Sequence, residues 1–332
     1  MSSPSRPPKI HDVAKRAGVS VATVSRVFSN PDIVSEKSRK AVEKAVLETG
    51  YTLNVLGRNL RQSQVGAVLA LVPNLANPFF SEILAGISEV LRDAGLNLLV
   101  LDTRQVDRSS PTHGLRNYLN RSHADGIIVL DGSLDPALFQ SPACPPVVQA
   151  CEWNEGVPGA RVLADNAEGA RLAVAHLLAL GHRRILHLAG PRQNSLSVSR
   201  AEGVAAALSC EGLEPVAVIE GAFTLRSGRE AAAAVIAARP TAVFCDNDEM
   251  AIGLMAGLAE AGLSVPGDIS LVGFDNIEMA AYAPVPLTTV RQRRAVLGQE
   301  AARLLLSQRD GDPSETRVLP VELCIRQSAR PV

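Results

Sequence analysis

With 332 residues, 46% of them hydrophobic, the chain can bury one or two sizeable cores beyond a small appended module. No run resembles a membrane span and the N-terminal MSSPSRPPK is polar and Pro-rich with no apolar signal region, so neither a membrane protein nor an exported one is expected, and the cytoplasm is the expected compartment. The near-neutral formal charge of −1 hides an asymmetry: residues 1–62 carry eleven Lys and Arg against five Asp and Glu, a formal +6, which leaves the rest at −7, the pattern of a nucleic-acid module joined to an acidic body.

Ile10 to Ser29, IHDVAKRAGVSVATVSRVFS, has the periodicity of two short helices broken at Gly18, with Val13, Ala14, Ala17, Val19, Val24 and Val27 as the apolar set. In a helix-turn-helix the second helix lies in the major groove, so its outer face needs small or polar residues, and Val21, Ala22, Ser25 and Arg26 form that face. Ser20 stands at the N-cap, where the helix start can present amides to a phosphate. Val21 and Ala22 can offer only apolar contact, for instance to a thymine methyl, whereas Arg26 can bond a guanine bidentately and so should carry more of the specificity. Thr23, Ser25 and Asn30 are assigned to phosphates, which position without specifying. Binding to duplex should weaken steeply with salt.

A third helix is expected over Ser35 to Thr49, with a capping-box start in which Ser38 replaces the usual Glu, and an end at Gly50. Asn54 to Arg61, NVLGRNLR, is too short for a stable isolated helix and is a candidate hinge. From Gly66 onward apolar runs alternate with helical patterns: AVLALV and a helix near Pro78 to Ala94; LNLLVLD and a helix to Ser122; GIIVLD; PVVQAC; RVLAD and a helix to Leu180. Then follow RILHLAG and a helix near Ser199 to Cys210, VAVIEG, AVFCD and a helix to Ala261, ISLVGFD, a helix near Ala295 to Ser307, and a strand near Val318 to Ile325. About ten continuous apolar strands alternating with helices specify an α/β core of two doubly wound parallel-sheet lobes behind the all-α head. Ligands bind such sheets at the carboxyl ends of the strands.

In order, IHDVAKRAGVSVATVSRV, VSEKSR, a helix ending in TGY, NPFFSEI, LGHRRI, LAGP, DNDEMAIG, VPGDISLVGFDN and PLTTV make the chain resemble the lactose-repressor (LacI/GalR) family along its whole length. SNPDIVSEKSR, LGRNL, VPNLANPFFSEI and GFDNIE make it look most like the cytidine-repressor branch. The resemblance implies a repressor with a periplasmic-binding-protein-like body, acting as a homodimer with two heads on a pseudo-palindromic double-stranded DNA operator. Residues 1–53 would be the DNA-binding domain, 54–62 a hinge helix formed on DNA, and 63–332 the effector-binding and dimerisation core. Leu60 would wedge into a central base step of the minor groove. Two departures stand out: Leu53 replaces the Pro usual before the hinge Asn, and Gly57 inside the hinge costs about 1 kcal/mol relative to Ala. A hinge that folds less readily is expected. No long heptad tail follows the last strand, so tetramers have no firm basis.

Ribose-binding relatives hold the sugar with residues just after strands, and matching motifs here supply Asn77, Phe79 and Phe80 in NPFF, Arg200 after LAGP, Phe223 in GAFT, Asn247 in DND, Asp275 in GFDN and Gln292 after PLTTV. The chemistry is sensible in itself, since a furanose offers C–H faces to aromatic rings and hydroxyls that donate and accept. Trp153, the only tryptophan, and Glu152 stand where purine-responsive members carry an acidic residue and Trp; the indole could stack on a base and Glu152 could pair with an exocyclic amine or ring N–H. Asn194 and Leu196 replace the residues that meet a free purine base in those members. A ribonucleoside effector is therefore expected, with ribose as the alternative. Asp131, Ser133 and Asp165 also follow predicted strands.

The rival classes are an enzyme and a transport binding protein. Asp246, Asp248 and Glu249 together suggest metal-assisted hydrolysis, yet DNDEM equally fits a helix N-terminus, and there is no P-loop, GxGxxG or GxSxG. Cysteines 144, 151, 210, 245 and 324 form no ligand-like cluster, and His176, His182 and His187 fall on different predicted elements, so no metal and no cofactor is expected.

Overall fold

The computed structural model describes residues 8–51, 64–104, 114–309 and 311–332. The chain forms two compact units, residues 1–63 and 64–332. The hinge residues Leu53, Gly57 and Leu60 lie outside the described residues.

The first unit contains α1 (Ile10–Ala17), α2 (Val21–Ser29) and α3 (Glu36–Thr49). Val13, Ala14, Val24, Val27, Val42 and Ala45 close a small core, with Ile10, Phe28 and Tyr51 around it. Gly18 ends α1 at φ 67°, a left-handed value that costs a residue without a Cβ nothing. Ser35 Oγ accepts the Ser38 amide at 3.3 Å and meets the Ser38 hydroxyl at 3.0 Å, which caps the start of α3 from the Ser35 side.

The second unit begins with β1 (Ala67–Val72), α4 (Phe79–Asp93), β2 (Asn97–Asp102), β3 (Gly126–Val129), β4 (Val147–Ala150) and β5 (Ala160–Ala164). It continues with α5 (Asn166–Ala179), β6 (Ile185–Ala189), α6 (Ser195–Ser209), β7 (Val218–Glu220), α7 (Leu225–Glu230), α8 (Ala232–Ala238), β8 (Ala242–Cys245) and α9 (Asp248–Glu260). Last come β9 (Ser270–Asp275), α10 (Glu278–Tyr282), β10 (Thr288–Arg291), α11 (Arg294–Arg309), β11 (Thr316–Leu319) and β12 (Glu322–Cys324). The strands build two six-stranded sheets, ordered β11-β5-β4-β3-β1-β2 in lobe 1 and β12-β10-β9-β8-β6-β7 in lobe 2. The chain crosses between lobes three times: after β5, after β10, and between β11 and β12.

The central strands of both sheets are buried on both faces, as their unbroken apolar runs require. Along β1, Val68 and Val72 face one cluster and Leu69 and Leu71 the other; Val243 and Phe244 divide β8 in the same way. Three details depart from the sequence reading. The strand expected near Val318 to Ile325 is two short strands in different sheets, and β12 pairs antiparallel with β10 while the other pairs among the described residues are parallel. In place of a helix running to Ser122, the described residues there form a 3-10 turn at Leu115–Tyr118. On the edge strand β2, Leu99 and Val100 are exposed.

Candidate functional site

In the head, Ser20 Oγ accepts the Thr23 amide at 3.1 Å and bonds the Thr23 hydroxyl at 2.9 Å, which caps α2 and fixes its start. Ala22 and Arg26 are exposed, Thr23 and Ser25 half-buried, and Asn30 is exposed just past the helix, its amide donating to Arg26 O at 2.8 Å. Val21 divides its side chain between this face and the head core. Arg16 of α1 pairs with Glu48 of α3, and this hydrogen bond holds the Glu48 carboxyl below its ordinary value.

In the body, one cavity of about 150 Å³ gathers Asn77, Phe79, Phe80, Arg200, Phe223, Asn247 and Asp275 from both lobes. Lobe 1 supplies Asn77, whose Oδ1 accepts the Phe79 amide at 2.8 Å to start α4, and the edge-to-face pair Phe79–Phe80 with centroids 5.1 Å apart. Lobe 2 supplies the polar floor. Arg200, 1% exposed on α6, donates Nε to Asn166 Oδ1 at 3.0 Å and Nη1 to the Asp246 carbonyl, and its guanidinium lies 3.8 Å from the Phe274 ring centroid. Its Nη2 stands 3.8 Å from Asp275 Oδ1 and is buried with no hydrogen bond. That donor is directed by three fixed partners and lacks an acceptor, which a ligand hydroxyl can supply.

Asp275 ends β9 at φ 110°, outside the range that a side chain with a Cβ normally adopts. Burial lifts its carboxyl to about 6 against the pull of Arg200 and Arg294, and Gln292 Nε2 donates to its Oδ1 at 2.7 Å. Phe223 also has a positive φ, 56°. Its ring approaches Gly190 so closely that a Cβ there would lie 2.2 Å from Cζ. Asn247 caps α9 through the Met250 amide and donates Nδ2 to Phe223 O at 3.2 Å, tying two cavity residues together.

Three residues expected at the effector do not line this cavity. Gln292 stands behind Asp275 and orients it. Asp131 is engaged by Thr103 Oγ1 at 2.5 Å and by the amide and hydroxyl of Ser133. Trp153 packs against the core, its Nε1 donating to Glu155 Oε1 at 3.1 Å and its backbone N–H to Ser195 Oγ at 3.2 Å. Its neighbour Glu152 reaches the wall instead. Burial pushes Glu152 up to about 7, with the Gly132 amide and Asn194 opposing and the Asp131 charge adding to the rise. Asp165 caps α5 through the Glu168 amide at 3.1 Å, a structural role.

The cavity also includes Asn74, Arg104 and Thr224, which the sequence reading passed over. Asn74 and Arg104 stand just beyond β1 and β2, the position already marked as informative. The acidic trio is dispersed: Asp246 serves His187 and the Gly190 amide, while Asp248 serves Thr289 and the Ile277 amide. Among the described residues no group of three His, Cys, Asp or Glu is placed to hold a metal.

Residues 9–54 match the lacI family of bacterial regulatory proteins, and residues 174–329 match a periplasmic binding protein-like domain. The chain is 37% identical over 327 residues to the HTH-type transcriptional repressor CytR of Escherichia coli (strain K12), covering 96% of this chain and 95% of that protein. It is 34% identical to the HTH-type transcriptional repressor PurR of Photobacterium profundum, covering 97% and 98%. A lac repressor dimer bound to operator and the anti-inducer ONPF superimposes with a TM-score of 0.86 at 31% identity, over 98% of this chain and 100% of that one. A LacI family transcriptional regulator from Enterococcus faecalis V583 with bound ribose gives 0.73 at 29%, over 80% and 99%.

Proposed function

The chain belongs to the lacI family of bacterial regulatory proteins as a ligand-responsive, DNA-binding transcriptional repressor, and we propose that its effector is a ribonucleoside held between the two lobes of the body. The observation that carries this reading is the convergence of seven ribose-type residues on one cavity with the Glu152 carboxyl in its wall. Phe79, Phe80 and Phe223 would cover the furanose C–H faces. Asp275, Arg200 Nη2 and the Asn77 and Asn247 amides would take its hydroxyls. Glu152, near neutrality in its titration, can offer a base edge either a donor and an acceptor or two acceptors. Ribose alone is the second reading, favoured by the ribose bound in the Enterococcus faecalis relative.

In this reading residues 1–53 bind DNA, 54–62 form the hinge and 63–332 bind effector and pair two chains in the cytoplasm. Exposed Leu99, Val100, Met279 and Tyr282 supply apolar surface that pairing would cover. Two heads on one dimer match a pseudo-palindromic operator, with Arg26 on base edges and Ser20, Thr23, Ser25 and Asn30 on phosphates. Ligand changes lobe closure and hence the support of the hinge, releasing DNA by its differential affinity for the two states, about 1–3 kcal/mol.

Trp153 fluorescence tests the effector. Trp153 follows Glu152 of the cavity wall in the chain, and its backbone N–H joins Ser195 of lobe 2, so closure alters its surroundings. Saturable change with adenosine, cytidine, uridine or guanosine but not with ribose is the expected result. Saturation by ribose alone establishes the second reading, and silence with all five removes both.

A further inference from the structure

We propose that lobe 2 carries a second ligand site, separate from the effector cavity, for a neutral and largely apolar ring compound bearing one hydroxyl. Between α6, β6 and the edge strand β7 lies a cavity of about 540 Å³. That volume is in the range of small-molecule sites, about 300–1,000 Å³. Its walls are apolar, with Ala189, Val204, Pro215 and Val218 among them, and two buried polar side chains interrupt them. Ser197, 4% exposed, has a buried Oγ with no hydrogen-bond partner. His187, 2% exposed, gives Nε2 to Asp246 Oδ1 at 2.7 Å. Asp246 Oδ2 accepts the Gly190 amide, so both carboxylate oxygens act as acceptors and a neutral His187 keeps its proton on Nε2. Nδ1 then holds a lone pair. A ligand hydroxyl donates to Nδ1, with Ser197 Oγ as its second partner, and an apolar body fills the rest.

Charge and size select this occupant. Arg192 at the mouth is already paired with Glu220 at 2.9 Å, and the exposed Glu202 carboxylate repels an anion. The bordering edge strand β7 has three residues, too few to template pairing by a partner strand.

The site also has a route to the effector cavity. Asp246 holds His187 with one oxygen and Gly190 with the other, while its carbonyl accepts Arg200 Nη1; Gly190 in turn abuts the Phe223 ring. Occupancy behind α6 should shift effector affinity, and effector should shift the second affinity by the same factor. That coupling rests on the proposed function; binding at the second site does not.

The test uses 2-naphthol as probe, with 2-methoxynaphthalene as the analogue that cannot donate, measured by calorimetry on the full chain. Naphthol is expected to saturate, to bind about fivefold more tightly than the ether, the worth of one hydrogen bond, and to weaken about tenfold or more in Ala201→Trp and Ala205→Trp, which fill the cavity from the exposed face of α6. Unaltered melting temperatures verify that both variants fold. Equal naphthol binding by wild type and both variants, equal binding of the ether, or no saturation overturns the site. Naphthol binding blocked by the tryptophans upholds it whether or not any nucleoside binds.

Discussion

Arg294 Nη2 stands 2.8 Å from Glu82 Oε1 and also 3.2 Å from the Asn276 carbonyl, so one guanidinium joins α4 of lobe 1 to the turn after β9 of lobe 2. Nη1 reaches the Phe79 carbonyl at 3.4 Å. Phe79 and Asp275, the neighbour of Asn276, line opposite sides of the effector cavity, which places Arg294 behind both.

Arg294→Met should lower the unfolding free energy of the body by about 2 kcal/mol, because two charged hydrogen bonds to backbone carbonyls are lost. The Glu82 pairing adds little, since that carboxylate is half exposed. Urea unfolding checks this, and an unchanged midpoint would contradict it.

Stability should fall as pH rises between about 4 and 7. Burial lifts Asp275 from 3.8 to about 6 and Glu152 from 4.5 to about 7, so the folded chain holds protons that the unfolded chain has released. The stabilisation is full below the ordinary values and is lost as pH passes through the raised ones. Glu152→Gln should flatten the slope of urea midpoints measured from pH 5 to pH 8; an unaltered slope would show that Glu152 is not the group titrating.

Gly190→Ala should weaken effector binding about tenfold by overpacking. The new Cβ would meet Phe223 Cζ at 2.2 Å and Ser197 Oγ at 2.5 Å, and the half-buried Phe223 ring has room to yield into the cavity. Calorimetry with the nucleoside identified by Trp153 titration measures the loss; wild-type affinity would mean that Phe223 does not touch the ligand.

Arg26→Ala should cost about 1–3 kcal/mol on the specific operator while leaving random-sequence binding nearly unchanged. Arg26 is exposed on α2 and forms no ion pair among the described residues. A uniform loss on all duplexes, with a shallower salt slope, would reassign it to a phosphate.

Much of this arrangement could be read from the residues. Arg200, Asn247 and Asp275 sit where strands or helix starts deliver side chains to a sheet end, and the unbroken apolar runs of β1, β8 and β9 could only be strands covered on both faces. Trp153 is absent from the cavity wall and Glu152 present, because sequence order cannot tell which of two adjacent side chains faces a cavity, and the indole N–H instead bonds Glu155. Pro320 divides the last apolar stretch, so Thr316–Leu319 joins one sheet and Glu322–Cys324 the other, a partition that depends on long-range pairing. The alanine-rich run Ala231 to Ala238 carries no amphipathic period, which hides α8 in the sequence. Arg294 follows no apolar strand end by a fixed offset, and its role emerges only from the approach of two lobes.

The most direct test of ligand-responsive repression is operator affinity with and without ribonucleoside, by fluorescence anisotropy on a duplex selected from random sequence by the full chain. A fall in affinity of about fivefold or more with at least one ribonucleoside, absent in Asp275→Asn, is the predicted result. Affinity unmoved by all four ribonucleosides and by ribose would contradict the account.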